Sequence, residues 1–286
     1  MGRSRAFLVS LISAFFLLFS QDTSAGALQV NVWPHKISPG DAFIIKITGA
    51  EISQPPSASF NGKQFYFSSC GEGCFITIGA ADLKTRPGVH KVKVKRGKKK
   101  KDSRIVVERT TFPILKLTLP EEKVFLNQED LMRAKNEEKR LKSICGIVSD
   151  RLWEGSFILP LENNISTVFG TKRIINRKMI SRHRGVDIKG QEGEEVRASN
   201  RGRVVLAEET FFGGNTIILD HGQGIYTIYM HLSKFAVSPL DIVSKGGLIG
   251  LVGSTGRSSG PHLHFGVKVM NINTNPVSFS ELALDK

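Results

Sequence analysis

Cysteine is scarce in this chain: three residues in 286, with no C-x-x-C pair among them. Structural zinc modules built on such pairs are therefore excluded. An odd count also leaves at least one thiol free or paired with another chain. Cys70 and Cys74 enclose Gly71-Glu72-Gly73, a spacing that suits a small disulfide across a tight turn in an oxidising compartment. Cys145 stands far from both. Long apolar runs are equally rare. Beyond the N-terminal run, no stretch of 18 or more apolar residues exists, so no transmembrane segment is expected in the mature chain. Acid is in deficit as well, with 26 Asp and Glu against 40 Lys and Arg and a formal net charge of +14.

Residues 1–25 read as a secretory signal peptide. Arg3 and Arg5 supply its positive start, and 6–19 form an apolar run too short to span a bilayer comfortably. Thr23-Ser24-Ala25 and Ala25-Gly26-Ala27 offer small-residue cleavage sites. An uncleaved N-terminal anchor is the competing reading. No cysteine follows directly, which argues against lipoprotein processing. The expectation is an exported protein of the periplasm, cell envelope or extracellular space. There a basic chain favours an anionic partner such as an envelope polymer, and the export signal argues against nucleic acid. Charge is densest over 91–101, where Lys alternates with Val and then gives Arg96-Gly97-Lys98-Lys99-Lys100-Lys101. A solvated β-hairpin is the plainer account of that run, and an electrostatic tether to anionic polymer is the functional one.

The fold class reads as mainly β. Between 28 and 118, Val30-Asn31-Val32-Trp33, Phe43-Ile44-Ile45-Lys46-Ile47 and the runs 89–95 and 105–107 have strand character. Pro39-Gly40, Pro55-Pro56, Asn61-Gly62 and Pro87-Gly88 mark turns between them. Short strands so spaced suggest an immunoglobulin-like sandwich. Residues 119–152 form a linker. In it Asn127 is placed to cap a helix over 128–148, with Glu129 and Asp130 in the first turn. Leu131, Ala134, Leu141, Cys145 and Val148 share one face, a stripe too short for a coiled coil, so the helix is expected to pack on its own domains and the chain to be a monomer. From 153 to 286, strand-like runs such as Val204-Val205-Leu206 and Thr216-Ile217-Ile218-Leu219 alternate with glycine-bearing turns, and no helical period appears. A mainly antiparallel sheet bearing a groove is expected.

Chemistry concentrates in that last domain. Gly260-Pro261-His262-Leu263-His264-Phe265 puts two imidazoles at i and i+2 of a strand, on the same face. Upstream, His183 and Asp187 lie four residues apart, and Tyr229-Met230-His231 falls between the two segments. Two His and one Asp make a zinc-type ligand set with a position free for water, leaving His231 and His262 for acid–base work. An isolated H-x-H is more often structural, but five of the seven histidines fall between 183 and 264. His221, in Asp220-His221-Gly222, reads as a turn residue, and His35 and His90 as ordinary surface or loop positions.

Read in order, 155–279 resembles the lysostaphin/LytM-type zinc metallopeptidases, which cut peptide bonds in bacterial peptidoglycan. The resemblance runs through Val168-Phe169-Gly170-Thr171-Lys172-Arg173, His183-x-Gly185-x-Asp187, Gly193-x-x-Val196-x-Ala198, Gly202-x-Val204, Gly214-Asn215-Thr216, Asp220-His221-Gly222 and Tyr229-x-His231-Leu232. It closes with Gly253 through Phe265 and Asn275-Pro276. It implies His183, Asp187 and His264 as ligands of one Zn2+ and His231 and His262 as catalytic histidines. It also implies peptidoglycan stem peptides as substrate and, by analogy, an N-terminal β module. Gly266 stands where many members carry Glu, and Leu240 replaces a glycine common before Asp241. Neither touches a ligand or catalytic position.

The chemistry that follows is amide hydrolysis by a zinc-activated water. His262 is the expected general base that later protonates the leaving amine. His231 is expected to stabilise the oxyanion or orient the water. Gly213-Gly214 and the glycines of 253–260 are expected to let backbone approach an extended substrate. The competing functions are a non-enzymatic scaffold or amidase activator of the same fold, a binding module for anionic polymer, and a metallopeptidase acting on glycine-rich proteins. The intact ligand set disfavours the first.

Overall fold

The structure, a computed structural model, describes residues 28–49, 55–118, 126–177 and 179–284; the expected signal peptide lies outside them. The N-terminal strands are β1 (Gln29–Trp33), β2 (Lys36–Ile37), β3 (Ala42–Thr48), β4 (Ser57–Phe60), β5 (Lys63–Tyr66), β6 (Ser68–Gly71), β7 (Cys74–Ala80), β8 (Gly88–Arg96) and β9 (Lys99–Val107). They form two sheets, ordered β1-β3-β7-β6 and β2-β9-β8-β4-β5. The near-continuous apolar run of β3 is buried on both faces, while β8 alternates. Val92 and Val94 of β8 point into the core with Phe43, Phe60 and Phe65. Phe43 and Phe60 meet edge to face at 5.1 Å. Lys91, Lys93 and Lys95 are exposed, in register with Arg104, Asp102 and Lys100 of β9. The basic run is therefore a hairpin that turns at Gly97. Cys70 and Cys74 form a disulfide across the β6–β7 turn, and Cys145 is free and buried.

Strand β10 (Ile114–Leu117) leaves this body and pairs in parallel with β12 (Lys172–Ile175) of the following domain. Helix α1 (Gln128–Ile144) begins as expected: Asn127 Oδ1 accepts from the Asp130 N–H at 2.8 Å. It stops four residues before the expected end. The Cys145 N–H closes on Leu141 and the Gly146 N–H folds back to Ser143, so the chain turns out of the helix there. Of the expected apolar face, Ala134 and Cys145 are buried whereas Leu131 and Val148 are exposed.

The C-terminal domain comprises β11 (Ile165–Thr167), β12, β13 (Met179–Arg182), β14 (Val186–Lys189), β15 (Glu195–Arg197), β16 (Gly202–Thr210), β17 (Gly214–Gly222), β18 (Ile225–Phe235), β19 (Ile242–Val243), β20 (Leu248–Val252), β21 (His262–Val269) and β22 (Ile272–Thr274). The main sheet runs β11-β14-β21-β18-β17-β16-β19, antiparallel throughout. A short helix α2 (Pro276–Ser280) follows, capped by Asn275 with proline in its first turn. One turn of helix carries no period long enough to read in sequence. The apolar core continues from the sandwich into this domain. Polar ties reinforce the junction: Asn275 Nδ2 donates to Asp41 Oδ1 at 2.9 Å and Gln223 Nε2 to the Tyr66 carbonyl at 2.8 Å.

His221 is not a turn residue. It closes β17, fully buried. Its Nδ1–H donates to the Arg201 carbonyl at 2.8 Å, and the Thr227 hydroxyl donates to Nε2 at 2.7 Å. Burial pushes its pKa down to about 4 against the pull of the Arg201 carbonyl.

Candidate metal centre

The site begins with sheet register. β14 and β21 are antiparallel neighbours in which Asp187 stands opposite His264. His183, upstream of β14, is fixed by backbone hydrogen bonds with Gly170 and Thr171. Its Nδ1–H donates to the Val168 carbonyl at 3.1 Å, which leaves the Nε2 lone pair facing inward. Three donor atoms then converge. His183 Nε2 lies 3.0 Å from His264 Nδ1, and each lies 2.9 Å from Asp187 Oδ1. His183 and Asp187 are buried and His264 is half-buried. Lone pairs of this kind crowd together only around a proton or a cation, and two imidazoles with one carboxylate are a borderline-metal donor set. The three residues fit one such ion.

The electrostatics agree. Burial alone would raise the Asp187 carboxyl, but hydrogen bonds and charge from His183 and His264 overcome it and hold it well below the usual carboxylate range. Burial lowers the His264 imidazole, which favours the neutral form a metal needs. Gly185 makes room for this ligand: a Cβ there would sit 2.4 Å from the Phe265 carbonyl oxygen and 2.8 Å from His264 Nε2. The glycine of His183-x-Gly185-x-Asp187 thus answers a close approach.

His231 and His262 line the same site. Their ring centroids are 4.9 Å apart, and His231 lies 6.2 Å from His264. His262 Nε2 is 3.9 Å from Asp187 Oδ1, and its Nδ1–H donates to the Gly260 carbonyl at 2.8 Å. His231 reaches the site through a break in the β17–β18 register, with a φ of 67° in the left-handed region. Such a conformation is uncommon for a non-glycine residue and clusters at functional sites. Its Nδ1–H donates to the Thr255 carbonyl at 2.8 Å, and burial pushes its pKa down to about 4.

Two participants carried no assigned role in the sequence reading. Arg173 Nη2 donates to Asp187 Oδ2 at 2.7 Å, tying down the carboxylate oxygen that the triangle does not use. Arg173 lies in the quoted Val168–Arg173 run, but spacing does not reveal its target. Thr255 acts through a backbone carbonyl, which no residue type can signal. The glycines differ from expectation. A Cβ on Gly214 would meet Thr255 backbone at 2.3 Å, and one on Gly256 would meet Gly214 backbone at 2.2 Å. Those glycines let two loops of the chain itself touch, whereas Gly260 faces open space.

A groove of about 1250 Å³ opens beside His183 and His264. Its floor includes His264 and Arg173, one wall is α1, and another is the loop pair carrying Phe212 and Arg257.

Fold and donor set together describe an antiparallel β domain in which two imidazoles and one carboxylate could hold a metal ion. Residues 181–277 of this domain match Peptidase family M23. Among curated relatives, a DD-carboxypeptidase/endopeptidase Mpg of Neisseria meningitidis serogroup B is 41% identical over 96 residues, 34% of this chain and 22% of that protein. The peptidoglycan DD-endopeptidase ShyA of Vibrio cholerae is 39% identical over 102 residues, 35% of this chain and 24% of that protein. The glycyl-glycine endopeptidase ALE-1 of Staphylococcus capitis is 48% identical over 85 residues, 29% of this chain and 24% of that protein. The chain thus matches 22–24% of the length of these relatives. A crystal structure of a putative peptidase M23 from Pseudomonas aeruginosa is similar over 85% of this chain and 94% of that one, with TM-score 0.66 and 26% identity. That likeness extends well beyond the matched segment.

Proposed function

We propose that this chain is an exported zinc-dependent endopeptidase that hydrolyses peptide cross-links of bacterial peptidoglycan. The observation that carries the reading is the convergence of His183 Nε2, Asp187 Oδ1 and His264 Nδ1 within 3.0 Å, beside two further imidazoles. The curated relatives of the same domain are named as peptidoglycan or glycyl-glycine endopeptidases, which supports the substrate class. His183, Asp187 and His264 hold one zinc ion in this reading. Bound zinc supplies a Lewis acid and lowers the pKa of a coordinated water from about 15.7 towards about 7.

The remaining chemistry belongs to the chain. His262, with Nδ1–H committed to the Gly260 carbonyl, has a free Nε2 to take the proton of the attacking water and return it to the leaving amine. His231 is committed in the same way to Thr255, so its Nε2 is an acceptor that orients the water. That arrangement favours water positioning over oxyanion donation for His231. Arg173 keeps Asp187 Oδ1 turned to the ligand triangle. The exposed Lys face of the β8–β9 hairpin is, in this reading, a contact for anionic envelope polymer.

Mass spectrometry of fragments released from purified sacculi tests the reading. The zinc-loaded chain is expected to release cleaved cross-links and His264→Ala none. Equal release by both, or none by the zinc-loaded chain, overturns it. Sedimentation of His264→Ala with the same sacculi at low and high salt tests the basic face, which predicts salt-sensitive binding.

A further inference from the structure

Four guanidinium groups line the groove, those of Arg173, Arg182, Arg184 and Arg257, and they differ in what they hold. Arg182 donates to the Gly170 carbonyl at 3.0 Å and Arg184 meets Glu138 at 3.5 Å. Arg173 is paired with Asp187 at 2.7 Å. Arg257 follows the loop whose Thr255 carbonyl anchors His231, and no carboxylate pairs with it among the described residues. It is nonetheless held in place. Its backbone N–H donates to the Phe212 carbonyl at 3.0 Å, and its guanidinium lies over the Phe212 ring at 4.1 Å. The backbone contact between Gly214 and Gly256 locks the two loops together just before it. Burial, then the like charge of Arg173, lowers its pKa, and no acid offsets them. For comparison, Glu154 offsets the burial of Arg151. Arg257 shares the groove with His264. A stacked, pre-positioned fork of donors without a carboxylate is built to receive one.

Building on the peptidase reading, we propose that Arg257 is the carboxylate receptor of the groove and selects peptides bearing a free carboxylate close to the scissile bond. A stem-peptide cross-link presents such groups either as the C-terminal α-carboxylate or as a side-chain carboxylate. An uncharged oligoglycine bridge presents none at its centre. Arg257 thereby separates an acidic cross-link from a neutral one, while the hydrolytic chemistry stays with the histidines. Arg257 is a specificity residue here, acting on the substrate rather than on the reacting water.

The test is binding of purified cross-linked muropeptide dimer to the zinc-loaded full chain carrying His262→Ala, alone or together with Arg257→Gln. Three forms of the dimer are used: free acid, amidated at the C-terminus, and amidated at the side-chain carboxylate. For the free acid, Arg257→Gln is expected to raise Kd by about ten- to hundredfold, the size of a lost charge-assisted hydrogen bond. Arg257→Lys should recover part of that loss. One of the two amidated forms should bind both chains alike, and it identifies the carboxylate. Zinc content and thermal midpoint are expected to stay unchanged. An equal loss of affinity on all three forms, or no loss on any, overturns the proposal. The peptidase reading is scored separately by the chain with His262 and Arg257 intact: no fragments from the dimer, with the carboxylate contrast preserved, would sink that reading and leave the receptor standing.

Discussion

On one side of the groove, the sheet bearing the imidazoles is backed by Ile188, Leu263, Phe265 and Tyr229, all buried. On the other, α1 buries only Ala134 along its own length. At its C-terminal end the half-buried Leu141 and Ile144 pack on the cluster of Cys145, Leu206, Ile218, Tyr226 and Ile228, and elsewhere it is held at its surface. Arg140 pairs with Glu208, Arg184 Nη1 meets Glu138 at 3.5 Å, the Phe211 N–H donates to Glu137 at 2.7 Å, and the Arg133 guanidinium lies 5.4 Å from the Phe211 ring. Exposed pairs of this kind contribute about 0–1 kcal/mol each and are screened by salt. The apolar backing of a sheet contributes more, at roughly 1.5–3 kcal/mol per large side chain. The difference teaches where precision is needed. Five side chains must be held to fractions of an ångström over the sheet, while the facing wall has only to border the substrate. The wall should therefore open at a free energy well below that of global unfolding.

The largest expected effect lies on the sheet. His231→Ala and His262→Ala, made separately, should each lower kcat by roughly 10²- to 10⁴-fold, while zinc content and thermal midpoint stay near those of the unaltered chain. The backing residues, not these two rings, hold the ligand triangle, so catalysis and fold should come apart here. Near-normal turnover in both variants would break the assignment of roles. Loss of zinc in either would show that the sheet holds the triangle less independently than its packing implies.

A smaller effect probes the sheet through His221. Its pKa of about 4 in the folded chain lies below the ordinary 6.5. The unfolded chain therefore takes up a proton, between those values, that the folded chain refuses. Stability is fully present above about pH 6.5 and is lost as the pH falls towards 4. From pH 7 to pH 5 the His221 share is roughly 2 kcal/mol at 1.36 kcal/mol per unit. Denaturant midpoints for the full chain and for His221→Asn, compared at both pH values, isolate that share. Parallel acid sensitivity in the two chains would remove it.

The clustering of His183, Asp187 and His264 was legible because its signals are chemical and local. His262 and His264 alternate on a strand, and His183-x-Gly185-x-Asp187 names its own close approach. The sandwich was legible from β3 and β8, whose apolar patterns follow the two burial regimes of a strand. What stayed hidden depends on the third dimension. The bulge that turns His231 inward leaves no residue-type mark, and its carbonyl anchor could be any residue. His221 beside Gly222 resembles a turn, yet the Arg201 carbonyl and the Thr227 hydroxyl satisfy both ring nitrogens inside the core. β10 pairs across a domain boundary that composition places at residue 118. The helix end is set by Cys145 and Gly146, not by the apolar stripe that continues past them in sequence.

The smallest effect tests the wall itself. Asn127→Ala removes the side chain that accepts from the Asp130 N–H, a loss of about 1 kcal/mol for a helix cap. Native-state hydrogen exchange should show faster exchange across 128–144, with the amides of β14, β18 and β21 unchanged. Raising the salt should add to the effect by screening Arg140–Glu208 and Arg184–Glu138. If instead the sheet amides exchange faster by the same factor, α1 and the sheet open as one cooperative unit and the two walls are not energetically distinct. A helix-only response would show that α1 opens over the cluster of His183, Asp187 and His264 independently of the packing that positions the histidines.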